Sequence, residues 1–393
     1  MPFVGNVSFF AASTGDSTHV MIAVSLANAS LTFAREEGSF RAGYTVTAAL
    51  RSGAIPIRNI EAHEYVVVSS FRETERNDES VLYEEVVTVP PGRYEFSLSV
   101  RDDGSARTSE DAATLVVPAL GANSLSSPVS FARAGLRSST STLPQVLANP
   151  TASGTFGRDS IIPFLLEGYG VDDSTRLVQY VVRSEDGRTV FHDSTHLTRR
   201  GSIYNGTINV PIARVGIGAL ILSAWAPAHG DTVRTPLFVG FGADLPLASY
   251  EEMVNYLRWF ANPADLQALR DTPAEARPAA WADFVKRHSG QDGAHAALTD
   301  YFARMADANA RFKEEASPGW MTDRGKVLLG LGRPDQVYEQ ANRSLVQQGR
   351  QQVWEYRGDN LVLTFYDQTG FGRWKLTATS DAEFMTAWRR RVQ

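Results

Sequence analysis

Hydrophobic and polar residues alternate with a period of two through the first part of the chain. Val20, Ile22, Val24 and Leu26 follow this spacing, as do Tyr44, Val46, Ala48 and Leu50, and then Tyr94, Phe96, Leu98 and Val100. In the last set Arg93, Glu95, Ser97, Ser99 and Arg101 fill every intervening position, which predicts an antiparallel strand with one dry and one wet face. Pro90, Pro91 and Gly92 turn the chain into that strand, and Asp102, Asp103 and Gly104 turn it out. The pattern returns in residues 161–240, with strands predicted over 161–166, 177–182, 204–210 and 219–225, separated by turn clusters such as SEDG and AHGD. The final hairpins of the two regions each run glycine, strand, charged turn, strand. This repetition predicts two tandem immunoglobulin-like β-sandwiches, in residues 1–118 and 119–245, the second entered through a Ser/Thr/Ala-rich linker near residues 119–158.

At Ser249 the period lengthens. Ser249 and Glu252 form a capping box ahead of Met253, Val254, Leu257 and Phe260 at helical spacing. Thr272, Pro273 and Glu275 repeat the start signal, with proline at the first helical position, before an apolar face of Trp281, Phe284 and Val285. A third stretch carries Leu298, Tyr301, Met305 and Phe312, and SGQDG at 289–293 separates it from the second. Residues 246–316 are therefore expected to form a helical subdomain. Strands resume with Gln352, Trp354 and Tyr356, then Leu361, Leu363 and Phe365, then Trp374 and Leu376, joined by hairpins at RGDN and DQTGFG. A last helix is expected after a Ser380/Glu383 capping box, with Phe384 and Trp388 at i and i+4 and Arg389, Arg390 and Arg391 complementing its C-terminal dipole. Residues 317–393 thus read as a small α+β domain, in which 326–331 reads as a strand, with a short helix capped by Asp323 as the alternative.

Composition narrows the functional classes. A chain of 393 residues with 43% hydrophobic and 21% charged residues can bury several ordinary globular cores, so neither wholesale disorder nor a membrane bundle is indicated. With 38 basic against 44 acidic residues the net charge is -6, which disfavours nucleic acid as a partner. Lys286, Lys313, Lys326 and Lys375 are the only lysines; arginine suits interfaces and anionic partners, but a compositional bias of the genome is the favoured reading. The absence of cysteine removes disulfides, thiolate zinc sites, iron–sulfur clusters and cysteine nucleophiles, and is compatible with an oxidising compartment. The opening MPFVGNVSFFAAS lacks the basic region of a signal peptide, so the expectation is a cytoplasmic chain or one whose leader is not in this sequence. The stretch 20–34 is too short to cross a bilayer as a helix, and no transmembrane segment is predicted.

One local cluster stands apart from the patterning. In SPGWMTDRGK, Gly319 permits a close or unusual backbone path, Trp320 offers a large body to bury, and Thr322 or Asp323 can accept amide hydrogen bonds at the start of the next element. Gly332, Arg333, Pro334 and Asp335 then form a turn. Gly319, Trp320, Thr322 and Asp323 spell the motif of the GWxTD domain family. The chain resembles that family further in Arg324 and Gly325, in Gly332, Pro334 and Asp335, and in Asp367, Thr369, Gly370, Phe371 and Gly372. The resemblance covers about the last third of the chain. It implies a bacterial protein of an uncharacterised and often exported group, and it brings no catalytic residues. The chain departs from the family where a Phe-Trp pair followed by Arg-Asp is expected, having Phe284, Val285, Arg287 and His288.

No catalytic, cofactor-binding or metal-binding residue is predicted. Residues 317–393 contain no histidine, which excludes a local Ser/Thr-His dyad. His192 and His196 lack a third ligand and read as solvent-facing strand positions. No nucleophile elbow, Walker loop or dinucleotide fingerprint occurs. The motif residues, with Trp354, are expected to be structural or interface positions. The expectation is a non-enzymatic, extracytoplasmic, peripheral accessory protein whose partners are other proteins, with a membrane or envelope complex as host. The alternative is an envelope-polymer-binding protein or hydrolase using a groove of Trp320, Trp354, Tyr356, Phe371 and Trp374 beside Asp323 or Asp335.

Overall fold

The computed structural model describes residues 2–76, 80–156, 158–170, 175–227, 229–241, 249–288, 296–314, 317–342 and 349–393. The chain divides into two compact units, Met1–Leu247 and Ala248–Gln393.

The first unit is built from strands. β1 (Val4–Ala11), β2 (Thr18–Ala27) and β6 (Ser80–Val89) form an antiparallel sheet in the order β1-β2-β6. A second sheet runs β3 (Ala34–Glu36), β4 (Ser39–Ser52), β7 (Gly92–Asp102) and β8 (Thr108–Val117), with β5 (Ile55–Val68) paired to β4. As the alternation predicts, Val20, Ile22, Val24 and Leu26 meet Tyr44, Val46, Ala48, Leu50, Tyr94, Phe96, Leu98 and Val100 in one core. β2 is buried on its other face as well: Met21 and Ala23 pack with Phe10 against Val129, Val146, Ala148 and Leu165. The segment expected to be a linker therefore contributes core. It carries β9 (Val129–Gly135), β10 (Gln145–Ala148) and β11 (Ser153–Thr155). These join β12 (Ile161–Tyr169), β13 (Thr175–Ser184), β14 (Thr189–Arg200), β15 (Ile203–Pro211), β16 (Gly218–Ala226) and β17 (His229–Gly240) in a nine-stranded sheet ordered β10-β9-β12-β15-β14-β13-β16-β17-β11. Two single-turn helices, α1 (Phe71–Thr74) and α2 (Ile212–Val215), punctuate the unit.

A buried polar network lies between these sheets. Arg137 and Glu167 are 6% and 1% exposed, and the Arg137 Nε and Nη2 atoms donate to the Glu167 carboxylate at 2.7–3.0 Å. The guanidinium also donates to the carbonyls of Thr142 at 2.6 Å and Ala11 at 2.9 Å. Tyr169 Oη donates to Glu167 Oε2 at 2.8 Å and accepts from Ala11 N–H at 3.0 Å. Burial pushes the Tyr169 phenol well above its usual range, aided by the Glu167 charge, so the hydroxyl keeps its proton and remains a donor.

The second unit begins with α3 (Tyr250–Tyr256), whose Ser249/Glu252 capping box is present in full. α4 (Pro263–Asp271), capped by Asn262, precedes α5 (Arg277–Arg287), and α6 (Ala296–Phe312) follows. The start signal read at Thr272 instead marks the end of α4: Pro273 leads only a short 3-10 turn, Ala274–Ala276, and Pro278 stands in the first turn of α5. SGQDG falls outside the described residues. The strand reading of 326–331 is overturned, because this segment lies in α7 (Asp323–Leu331), capped by the Thr322 side chain rather than by Asp323. β18 (Gln336–Asn342), β19 (Gly349–Tyr356), β20 (Leu361–Asp367) and β21 (Lys375–Leu376) form an antiparallel meander. The last helix, α8 (Ala378–Val392), starts a turn earlier than the Ser380/Glu383 box implied. Thr377 Oγ1 caps it by accepting from Ser380 N–H, and Ser380 Oγ accepts from Thr364 N–H of β20.

Candidate functional site

The GWxTD residues make a tight corner between α6 and α7. A side chain at Gly319 would place its Cβ 1.9 Å from the Ala308 carbonyl oxygen and 2.8 Å from Asn309 Cα. The motif backbone thus lies directly on the α6 backbone, which only glycine permits. Asn309 Oδ1 accepts from Trp320 N–H at 3.1 Å. The Trp320 ring is buried, with Tyr256 edge-on at 5.4 Å and the Arg258 guanidinium 4.6 Å above it. Thr322 Oγ1 donates to the Gly319 carbonyl at 2.8 Å and accepts from Gly325 N–H at 3.1 Å. Its hydroxyl is buried and occupied on both sides, so it is a cap and not a nucleophile.

Asp323 reaches the other way. Its Oδ2 accepts from Leu376 N–H of β21 at 2.9 Å, tying α7 to the edge of the meander. Gly332 ends α7 with φ 83°, and its carbonyl accepts from the buried Tyr356 hydroxyl at 3.0 Å. Pro334 follows in the turn, and Asp335 Oδ2 accepts from Arg357 N–H at 2.6 Å. Both aspartates proposed for a groove therefore serve the backbone.

The turn between β20 and β21 presents a side chain. Asp367 is fully buried at its base, where its carboxylate accepts from the N–H groups of Thr369, Gly370 and Gly372 and from the Thr369 hydroxyl at 2.7–3.2 Å. Gly370 and Gly372 adopt φ of 75° and 85°, conformations that disfavour other residues. At the tip between them Phe371 is 89% exposed. Burial raises the Asp367 carboxyl pKa, but the Gly372 amide and its neighbours more than offset this and hold it below the usual carboxylate range. A depressed carboxyl contributes stability that is present above the unfolded pKa of about 4 and lost as pH falls through the folded value. Asp367→Asn should therefore cost roughly 2 kcal/mol at pH 7, with the difference from the parent shrinking below about pH 4, as read from urea unfolding curves.

Arg324, the second residue of α7, is less fully satisfied. Its guanidinium lies 4.7 Å from the Phe312 ring centroid and 5.1 Å from that of Trp374. The side chain is half-buried, and its Nε is shut off from solvent with no acceptor. Burial pulls its pKa down to about 10, against the opposing pull of the Glu314 and Glu339 carboxylates and with Arg311 and Arg350 adding to the fall. Arg350 lies 5.4 Å from the same Trp374 ring and pairs with Glu339.

The aromatic groove expected as an alternative does not form. Trp320, Trp354, Tyr356 and Trp374 are all buried, and Trp354 packs on Phe312 and Phe365 with its Nε1 donating to Gln352 Oε1 at 2.9 Å. Phe371 alone of that set faces water. An open cleft of about 690 Å³ lies elsewhere, lined by α4 and α5, where Asp265 is already paired with Arg287 and His288. Among the described residues no group of three or more His, Cys, Asp or Glu converges as a metal site, and His192 and His196 are both exposed on β14. The sequence named Phe371 but not its exposure, and it passed over Arg324 as a site residue. The Gly-Phe-Gly spacing was the available signal for the first, and the place of Arg324 directly after the motif for the second.

Residues 237–393 match the GWxTD domain. No curated protein matches the chain. Among solved structures, trypsin-activated alpha-2-macroglobulin from Escherichia coli is 12% identical over 62% of this chain, with a TM-score of 0.22. The match covers 17% of that protein, so the chain spans less than a fifth of its length. The fibronectin(III)-like modules of Clostridium thermocellum CbhA are 11% identical, covering 60% of this chain and 93% of theirs, with a TM-score of 0.16. The FN1–FN3 domains of chicken CNTN1 are 10% identical, covering 59% of this chain and 65% of theirs, also with a TM-score of 0.16. Likenesses this weak assign neither fold nor function.

Proposed function

We propose that this chain, which carries a GWxTD domain over residues 237–393, is a non-catalytic interaction protein that docks a partner protein through the Phe371 turn. The observation that carries this reading is an 89% exposed phenylalanine on a turn whose base is a fully buried, multiply bonded aspartate. A large apolar side chain gains nothing in water, and a flexible tip would lose entropy on docking. A rigid one is pre-organised as an anchor for an apolar pocket. The motif corner supports it: Asp323 fixes β21, which fixes the far end of the turn.

In this reading the two β regions of the first unit are immunoglobulin-like spacers, and the chain is a peripheral, extracytoplasmic subunit of an envelope assembly. Among the described residues no helix is long and apolar enough to cross a membrane.

Size exclusion of gently solubilised native material, with mass spectrometry of co-eluting proteins, tests the proposal when the parent is compared with Phe371→Ser. The variant should keep the parent's unfolding midpoint, because the side chain touches little of its own chain. Its retention of the partner should fall roughly 30-fold or more, the effect of losing an interface anchor worth about 2 kcal/mol. Equal co-elution with both chains, or a monomer in both, would count against docking through this turn.

A further inference from the structure

We propose that Arg324 binds a carboxylate beside the Trp374 ring, with the charge of Arg350 near the same ring favouring the anion. Both guanidinium groups lie within 5.4 Å of that indole centroid, and Arg324 also lies 4.7 Å from the Phe312 ring centroid. Contact with two aromatic rings holds the Arg324 guanidinium without using its donors. No hydrogen bond or ion pair engages this guanidinium among the described residues, and its Nε is sealed off. The half-buried side chain thus keeps only its Nη ends for a ligand, the bidentate geometry that arginine offers a carboxylate.

The charges around it set the ligand class. Arg311 is occupied by Asp307 at 3.2 Å, and Arg350 by Glu339. Glu314 Oε1 accepts from Trp374 N–H at 3.3 Å. Among the described residues Arg324 has no contacting acid. A singly charged carboxylate matches it, whereas a phosphate dianion would be repelled about twice as strongly by the Glu314 and Glu339 charges that act on Arg324. An arginine that served the fold alone would lose its contacts with Phe312 and Trp374 on replacement by methionine, and the unfolding midpoint would fall. One kept for a ligand leaves its donors poorly satisfied until the ligand arrives, so the free protein is no less stable without it.

The test uses the full chain with acetate as the probe, at constant ionic strength against chloride, reading the Arg324 Nε–Hε resonance assigned by its loss in Arg324→Met. A saturable shift with acetate, at half-saturation at least tenfold lower than for phosphate or chloride, is expected. A shift that grows linearly and equally with all three anions would overturn the site. Arg350→Met should weaken acetate at least fivefold; unchanged saturation would overturn the part given to Arg350. Arg324→Met should leave the unfolding midpoint unchanged or raised and abolish stabilisation by acetate. A lowered midpoint with acetate stabilisation retained would show a structural arginine instead.

The carboxylate belongs either to the docked partner or to a free small acid, and only the first assignment rests on the Phe371 reading. Retention of the partner falling at least tenfold in Arg324→Met places it on the partner; unchanged retention alongside saturable acetate places it on a free acid. Acetate binding needs no partner, so failure of this site and failure of docking through Phe371 give separate results.

Discussion

Gly319→Ala should abolish the cooperative fold of the C-terminal unit or lower its stability by about 3 kcal/mol or more, more than typical overpacking because the obstacle is backbone. The added methyl would sit 1.9 Å from the Ala308 carbonyl oxygen, with Ala308 C at 2.6 Å, and no rotamer can move those atoms aside. α6 must shift, and the shift breaks the Asn309 bond to Trp320 and the burial of its indole. Gly325→Ala should act alike, since its Cβ would lie 1.9 Å from the Gly319 carbonyl oxygen. Gly358→Ala, whose Cβ would meet nothing within 4 Å, is the control and should be neutral or slightly stabilising. Tryptophan fluorescence during urea unfolding reads these variants. Trp259, Trp281, Trp320, Trp354, Trp374 and Trp388 all lie in this unit, with only Trp225 elsewhere. A Gly319→Ala midpoint equal to that of Gly358→Ala would refute the close-contact account of the motif.

The second large effect belongs to the first unit. Arg137→Met should cost about 3–5 kcal/mol, because it strands the Glu167 carboxylate in a buried site without its cation. The loss also frees the Thr142 and Ala11 carbonyls that the guanidinium satisfies. The pair itself is a poor source of net stability, since desolvating both ions consumes most of the attraction. Combining Arg137→Met with Glu167→Leu should therefore recover a large part of the loss. Far-UV circular dichroism in urea follows this β-rich unit. Additive losses in the double variant would show that the two side chains act independently.

What the sequence disclosed depended on how far each signal travels along the chain. Alternation read out the half-buried strands, because one face of Tyr94, Phe96, Leu98 and Val100 is dry and the other wet. Strand β2 hid its second buried face, since Met21 and Ala23 become core only when residues 129–148 pack over them. The apolar run Val327–Leu331 fits strand or helix by periodicity alone; Thr322 capping Gly325 N–H accompanies the helix. The Arg137–Glu167 pair was illegible for a plainer reason: 30 residues separate two ordinary surface-type side chains, and only the fold buries them together. At the candidate site the motif was legible as a corner. Exposure of Phe371 was not, because small domains bury most of their aromatics, as this one does with Trp320, Trp354 and Trp374.

In the proposed reading the corner and the turn serve one end. Glycines bring α6 and α7 backbones together, Asp323 carries that rigidity to β21, and Asp367 carries it to the tip. The most direct test of the presented phenylalanine is site-specific photo-cross-linking. A benzoylphenylalanine replaces Phe371 in one sample and the 52% exposed Val362 in another. The native extract is then irradiated and the adducts compared. One defined adduct from position 371 and none from 362 is the predicted result; no adduct at 371, or the same adducts at both positions, would contradict it.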